Sequence, residues 1–343
     1  MALTASRSLL LRAPRRALSA SAPAPAPAPA PQLAYLRADG AAAGAYLPPA
    51  ECKVRVDDRG FTFADSLYEV AKSYGGGALF TWAPHLARLR RGLDALRIGA
   101  DDAERDALLG EVTAAARALL RRNALDAPGQ RATVYVQITR GSTAPRAHAF
   151  PPATAPPNVF VAAKPFAEPP EQWLSGGVSG VTVPDTRWAR CDLKTTGLLA
   201  NVLANQQAKA AGAYEALFLR GAGAECAAVE ASHSNVFAVV GGELVTHPLG
   251  DNILPGITRE VILRRAGELG VRAREGRVLL SDLRPGGRAT ELFTTATTTE
   301  IMPIVRLDGQ AMGSSGGAVG PVARKLREAW PRWVAEDVAS GGK

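Results

Sequence analysis

Four short segments carry residue types able to do chemistry. The string Arg187-Trp188-Ala189-Arg190-Cys191-Asp192-Leu193-Lys194 ends on a lysine. Such an amine becomes a nucleophile and a base when cationic or apolar neighbours lower its pKa, although a lone lysine before a helix is ordinarily a solvated surface residue. Glu230-Ala231-Ser232-His233-Ser234-Asn235-Val236-Phe237 offers a carboxylate, Glu230, that alone reads as an exposed glutamate at a strand end. Leu254-Pro255-Gly256-Ile257-Thr258-Arg259-Glu260 is a glycine turn opening a helix. Free backbone N–H groups and the positive end of the helix dipole make such a turn a phosphate cradle, while Thr258 by itself is a helix N-cap or first-turn residue. In Thr139-Arg140-Gly141-Ser142-Thr143-Ala144-Pro145-Arg146-Ala147-His148, Arg146 and His148 stand two apart. In an extended segment they project to the same side, the alternative being a solvated basic loop.

These segments need elements to position them. Tyr68–Lys72 alternates as a strand, and Gly75-Gly76-Gly77 followed by Ala78–Thr81 predicts a hairpin. Leu86, Leu89, Leu93 and Leu96 repeat at helical spacing, with Pro84 near the start and Gly99 after the end. A second helix is expected over Asp101–Asn123, with acids in its first turn and Arg121-Arg122 in its last. Arg131–Arg140 and Val159–Ala163 read as strands. Prolines and lost periodicity over Lys164–Pro170 suggest a domain boundary. Beyond it come a strand near Val181, a helix over Thr196–Gly212 and a strand over Ala216–Arg220. Ser234–Val240 and Glu243–Thr246 flank the tight turn Gly241-Gly242. A helix over Thr258–Leu269, a strand over Glu291–Thr295 and a closing helix around Val322–Trp330 complete the pattern. Strands and helices mix without strict βαβ alternation, so the expected class is α+β. The expected division is a small N-terminal α/β domain (32–164), a linker (165–170) and a larger C-terminal domain (171–343) carrying Lys194.

The chain has 343 residues, 47% of them hydrophobic, enough for a sizeable core. No apolar run approaches the roughly 20 residues of a membrane span. Three cysteines without metal-ligand spacing read as reduced thiols, with no metal site. The net charge of +8 is concentrated toward the start: residues 1–31 hold Arg7, Arg12, Arg15 and Arg16 and no acid. No basic stripe with interleaved aromatics follows, so a nucleic-acid partner is not expected. The Ala-, Ser- and Arg-rich leader, ending in an Ala-Pro tract from Ala22 to Pro31, fits an organellar transit peptide and an extended linker. Its composition favours a plastid over a mitochondrion. Gly313-Ser314-Ser315-Gly316-Gly317 matches a hydrolase nucleophile elbow, but the last histidine is His247, so no downstream base exists. Gly221-Ala222-Gly223 lacks the third glycine of a dinucleotide fingerprint.

Taken together, the four segments resemble the fold-type IV pyridoxal-phosphate family, over roughly Val54 to Trp330, and most closely its D-amino-acid aminotransferases. The resemblance implies pyridoxal 5'-phosphate as cofactor, with Lys194 as Schiff-base lysine and catalytic base. Glu230 would face the pyridine nitrogen and keep it protonated. Thr258, with Gly256 and Ile257, Thr297 from Thr297-Thr298-Thr299-Glu300, and Arg88 would hold the phosphate, Arg88 in a bidentate way. Leu254 would pack against the cofactor ring. Arg146 and His148, with Tyr68, would hold the substrate carboxylate and so set the enantiomer. His233 departs from the small polar residue that close relatives often carry. The implied reaction is transamination of D-amino acids such as D-alanine with 2-oxoglutarate or pyruvate. Aminodeoxychorismate lyase, releasing pyruvate and 4-aminobenzoate, is the alternative on the same site. An L-branched-chain aminotransferase fits less well, since that group does not use the Arg146-x-His148 pair, and a non-catalytic carrier of the cofactor would have lost Lys194. A homodimer is implied, with Arg146 and His148 able to act across its interface.

Overall fold

The computed structural model describes residues 32–153, 155–313 and 316–341. The leader of residues 1–31 and the serines of the 313–317 loop lie outside the described residues. Strands β1 (Ala34–Arg37), β2 (Ala45–Leu47), β3 (Ser66–Ser73), β4 (Ala132–Thr139) and β5 (Asn158–Pro165) form an antiparallel sheet in the order β2-β1-β5-β4-β3. The period of two puts Leu67, Glu69 and Ala71 of β3 on one face and Tyr68, Val70 and Lys72 on the other. Short helix α1 (Arg59–Phe63) precedes β3, and α2 (Trp82–Leu96) and α3 (Asp102–Arg122) follow it. Leu89 and Leu93 of α2, Val112 and Leu119 of α3, and Val134, Val136 and Val161 of the strands make one apolar core. Gly92 lets α2 approach β3 closely, since a Cβ there would stand 2.8 Å from the Leu67 methyls. That approach sets His85 and Arg88 above Glu69.

Several expected boundaries move. Helix α3 is capped as its sequence implies: the Asp101 carboxylate accepts from the Glu104 N–H at 2.8 Å. Helix α2 instead ends at Arg97 in the left-handed region (φ 53°), two residues before Gly99. The hairpin after β3 does not form. Gly75, Gly76 and Gly77 all take positive φ, only a Ser73–Leu79 bridge survives, and the chain turns at once into α2. Strand β5 extends to Pro165 because Pro165 pairs at the sheet end, opposite Ala132.

The second sheet has ten strands: β6 (Val178–Pro184), β7 (Glu215–Arg220), β8 (Ala227–Ala231), β9 (Asn235–Val240), β10 (Glu243–Thr246), β11 (Ala273–Glu275), β12 (Val278–Leu279), β13 (Ala289–Ala296), β14 (Glu300–Leu307) and β15 (Gln310–Ala311). Their order is β11-β10-β9-β13-β14-β6-β7-β8-β12, with β15 against β14. Short helices α4 (Glu171–Gly176) and α7 (Leu280–Leu283) flank the sheet. Helix α5 (Leu199–Ala210) covers a small core under Phe218 and Val229. Helices α6 (Ile257–Arg265) and α8 (Pro321–Ala339) pack over the stacked Phe237–Phe293 pair, whose centroids lie 5.4 Å apart. Helix α8 runs past the expected end at Trp330 despite Pro331. An interior proline costs about 3 kcal/mol, which burial of Trp333 and Val334 beyond it can offset at about 1.5–3 kcal/mol per large side chain. Strand β14 was not expected; Pro303 sits inside it, and its ladder to β6 starts only at Ile304. The described residues form one compact α+β unit carrying both sheets.

Candidate active site

Between β3, the 185–195 loop, the β8–β9 turn and the start of α6 lies a two-compartment cavity. The larger compartment measures about 490 Å³ and the smaller about 180 Å³. Tyr68, Lys194, Glu230, His233 and Leu254 border both. Arg88, Gly256, Ile257, Thr258 and Thr297 border the smaller. Ten residues singled out from the sequence, spread over 230 positions of chain (68 to 297), thus share one cavity. Arg146 and His148 do not border it. Both are exposed on the loop after β4, with the Arg146 guanidinium 4.1 Å over the Phe63 ring and the His148 ring 5.3 Å from it.

Lys194 sits just before a bridge between Thr195 and Leu67, and its carbonyl accepts from the Tyr68 N–H at 3.0 Å. This pairing brings the loop onto β3 and puts Nζ 4.2 Å over the Tyr68 ring. Tyr68 in turn stacks on Tyr135, with ring centroids 5.8 Å apart.

Glu230 lies in β8 and is buried. One oxygen accepts from Asn235 Nδ2 at 3.1 Å and from the Leu254 N–H at 3.2 Å, and the other pairs with Arg187. Burial pushes the carboxyl up to about 7, against the pull of Arg187. Arg187 restrains it only partly because its own charge is shared. Asp185 accepts from Arg187 Nε at 2.9 Å and Nη2 at 3.0 Å, and Arg220 also reaches Asp185 at 2.6 Å. A cationic ring N–H beside Glu230 would supply the counter-charge that this network withholds.

At the other end, the first N–H groups of α6 face the smaller compartment behind Gly256. A Cβ on Gly256 would stand 1.9 Å from Asn235 Oδ1, so the turn closes only with glycine. Asn235 Nδ2 also donates to the Leu254 carbonyl at 3.0 Å, tying this turn to Glu230. Ser234 Oγ and Thr295 Oγ1 are buried on the same wall and have no partner among the described residues. Buried hydroxyls without partners, free helix N–H groups and an arginine together suit a phosphate. Arg88 gives less than its full fork. Its Nε and Nη2 donate to Glu69 at 2.7 and 2.8 Å and its Nη1 to the Pro255 carbonyl at 2.8 Å, leaving one N–H on each Nη. His85 Nδ1 lies 2.8 Å from the same carboxylate. Burial alone would raise Glu69; Arg88 and His85 overcome it and hold the carboxyl well below its ordinary range. Burial also pushes His85 below its ordinary value. The cavity therefore fits pyridoxal 5'-phosphate at both ends, anion at α6 and ring nitrogen at Glu230.

Sequence reasoning missed Asp185, Arg187 as the partner of Glu230, and the Glu69–His85 pair behind Arg88. One signal was available. Glu69 falls on the apolar side of an alternating strand, where a lone carboxylate needs a buried cation.

The class IV amino-transferase family model matches residues 66–307. The chain is 36% identical over 296 residues to the D-alanine aminotransferase of Bacillus licheniformis, covering 86% of this chain and 97% of that protein. It is 35% identical over 291 residues to the D-alanine aminotransferase of Staphylococcus aureus strain MSSA476, covering 85% and 96%. Among solved structures, the branched-chain amino acid aminotransferase from Escherichia coli superposes with a TM-score of 0.73 at 25% identity, covering 88% and 94%. With the cavity geometry above, these matches establish that the chain belongs to the class IV aminotransferase family.

Proposed function

We propose that this protein transfers amino groups between D-amino acids, D-alanine among them, and 2-oxo acids such as 2-oxoglutarate or pyruvate, with Lys194 as the base. The observation that carries the reading is one cavity holding an amine (Lys194), a buried carboxylate (Glu230) and a phosphate cradle (Gly256–Thr258, Ser234, Thr295). Relatives at 35–36% identity named D-alanine aminotransferase support the substrate class. Pyridoxal 5'-phosphate, when bound, supplies an electron sink conjugated to the substrate's amino group. Glu230 would hold the proton on the ring nitrogen, and Leu254 would pack on the ring. Thr258, Thr297, Ile257 N–H and Arg88 would anchor the phosphate. Lys194 Nζ, resting on the Tyr68 ring, would take the proton from the substrate Cα and deliver it to the carbon on the far side of the substrate nitrogen.

Recognition of the α-carboxylate falls to Tyr68 and, in this reading, to Arg146 and His148 supplied by a second copy of the chain. Two features support a homodimer. The pair is exposed yet held, since Arg59 donates to the carbonyls of Ala147 at 2.6 Å and of His148 and Ala149 at 3.3 Å. Large apolar side chains are also exposed, Val56 and Phe61 on either side of Arg59 in the sequence and Leu199, Val202 and Leu203 on α5, where Val202 borders the cavity. The composition of residues 1–31 supports import into a plastid, which a fluorescent-protein fusion of that leader would test.

Purified Lys194→Ala decides the central point. It should lose turnover of D-alanine with 2-oxoglutarate; near wild-type rates would refute the assignment. Supplying aminodeoxychorismate to the wild type tests the substrate class, and release of pyruvate and 4-aminobenzoate would replace transamination with the lyase reaction.

A further inference from the structure

The larger compartment has a polar wall that the chemistry at Lys194 does not use. His233, in the turn between β8 and β9, borders both compartments, and its side chain is 40% exposed. Its Nδ1 lies 3.0 Å from Glu215 Oε1, and its backbone N–H donates to the same oxygen at 2.8 Å. The ring stands edge-on to Tyr214 at 5.9 Å. Glu215 is fully buried at the start of β7, and its other oxygen has no partner among the described residues. No lysine or arginine is ion-paired with Glu215 among the described residues; His233 alone is.

Ser232 Oγ at 3.3 Å and Asn205 Nδ2 at 3.4 Å face the same Nδ1, so Glu215, Ser232 and Asn205 together hold the ring by its Nδ1 edge. Nε2 carries no hydrogen bond among the described residues and belongs to a ring that borders the cavity. A ring carrying protons on both nitrogens is at once the counter-ion of the buried Glu215 and a donor toward an anion. Helix α5 adds Asn201, Asn205, Gln206 and Lys209 to this wall beside the apolar Val202, with one Asn201 N–H donated to the Ser232 carbonyl at 2.9 Å. Glu230 is the carboxylate bordering the compartment, and both its oxygens are engaged. An anion in this compartment therefore meets side chains able to donate and the ammonium of Lys209.

We propose that His233, oriented by Glu215, recognises the second carboxylate of a dicarboxylic substrate, a 2-oxo diacid or the corresponding D-amino diacid. The inference rests on the transamination reading and adds the residue that selects the acceptor. Glu215 is the positioning residue, and His233 is the group that touches substrate.

The test compares wild type, His233→Ser and His233→Gln holoenzymes. With D-alanine as donor, kcat/KM is measured for 2-oxoglutarate and for 2-oxobutyrate, which lacks the distal carboxylate. Losing one charge-assisted hydrogen bond should lower the 2-oxoglutarate/2-oxobutyrate ratio about 10- to 100-fold in His233→Ser, mainly through KM. His233→Gln, which keeps an N–H donor without the charge, should fall between. Calorimetric titration with glutarate, referenced to butyrate, should show the same loss without turnover. An unchanged ratio together with unchanged glutarate binding overturns the role of His233. A wild type that aminates neither acceptor refutes the transamination reading instead, and the glutarate titration then still decides the role of His233.

Discussion

Replacing Glu69 by glutamine should cost more stability than any other isosteric change at this site. The carboxylate is fully buried and takes three hydrogen bonds, from Arg88 Nε at 2.7 Å, Arg88 Nη2 at 2.8 Å and His85 Nδ1 at 2.8 Å. Removing one partner of a buried ion pair costs about 3–5 kcal/mol, because the other charge stays desolvated. Glutamine keeps one acceptor oxygen, and His85 can accept from the new amide in its other tautomer, so the lower end applies: about 3 kcal/mol, or roughly a hundredfold in the folding equilibrium. The sign of the pH dependence follows from the direction of the shift. The folded-state carboxyl is depressed below its ordinary value of 4.5, so its stabilisation is present above that value and disappears as pH falls through the folded pKa. Urea unfolding followed by circular dichroism, at pH 7.5 and at pH values stepped below 4.5, measures both effects. A deficit under about 1 kcal/mol at pH 7.5, or a gap between wild type and variant that widens on acidification, would refute the electrostatic account of this cluster.

Two further outcomes follow from the geometry. Gly256→Ala forces a Cβ onto Asn235 Oδ1 and should break the tie among Asn235, Leu254 and Glu230; we expect about 1–3 kcal/mol of destabilisation and weaker cofactor retention on dialysis, while unchanged retention would show that the turn yields elsewhere. Arg59→Ala releases the carbonyls of residues 147–149, so if the 146–148 loop serves the substrate carboxylate, KM for D-alanine should rise about tenfold or more with the cofactor's absorption band retained, and an unaltered KM would dissociate that loop from binding.

The local chemistry of the site was legible in the sequence. A glycine turn before a helix start, a lysine ending a Cys-Asp-Leu-Lys string and a glutamate in Glu-Ala-Ser-His-Ser-Asn each specify their own backbone and side-chain type, and Asp101 with its acidic first turn specifies where α3 starts. Element ends were less legible, since Arg97 ends α2 in a conformation that residue type does not announce and Trp333 carries α8 past a proline. Partners were less legible still: the position of Glu69 on the apolar face of β3 calls for a buried cation but does not say which. That Glu69 answers Arg88, that Arg187 is divided between Asp185 and Glu230, and that Glu215 holds His233 depends on which faces the two sheets and α2 bring together. The same limit applies to Arg146 and His148: their spacing aims them to one side, but only packing decides which cavity that side meets, and within one chain it is solvent. Sequence sets what each residue can donate, accept or hold; burial and long-range pairing, which follow from the fold, decide how strongly it does so.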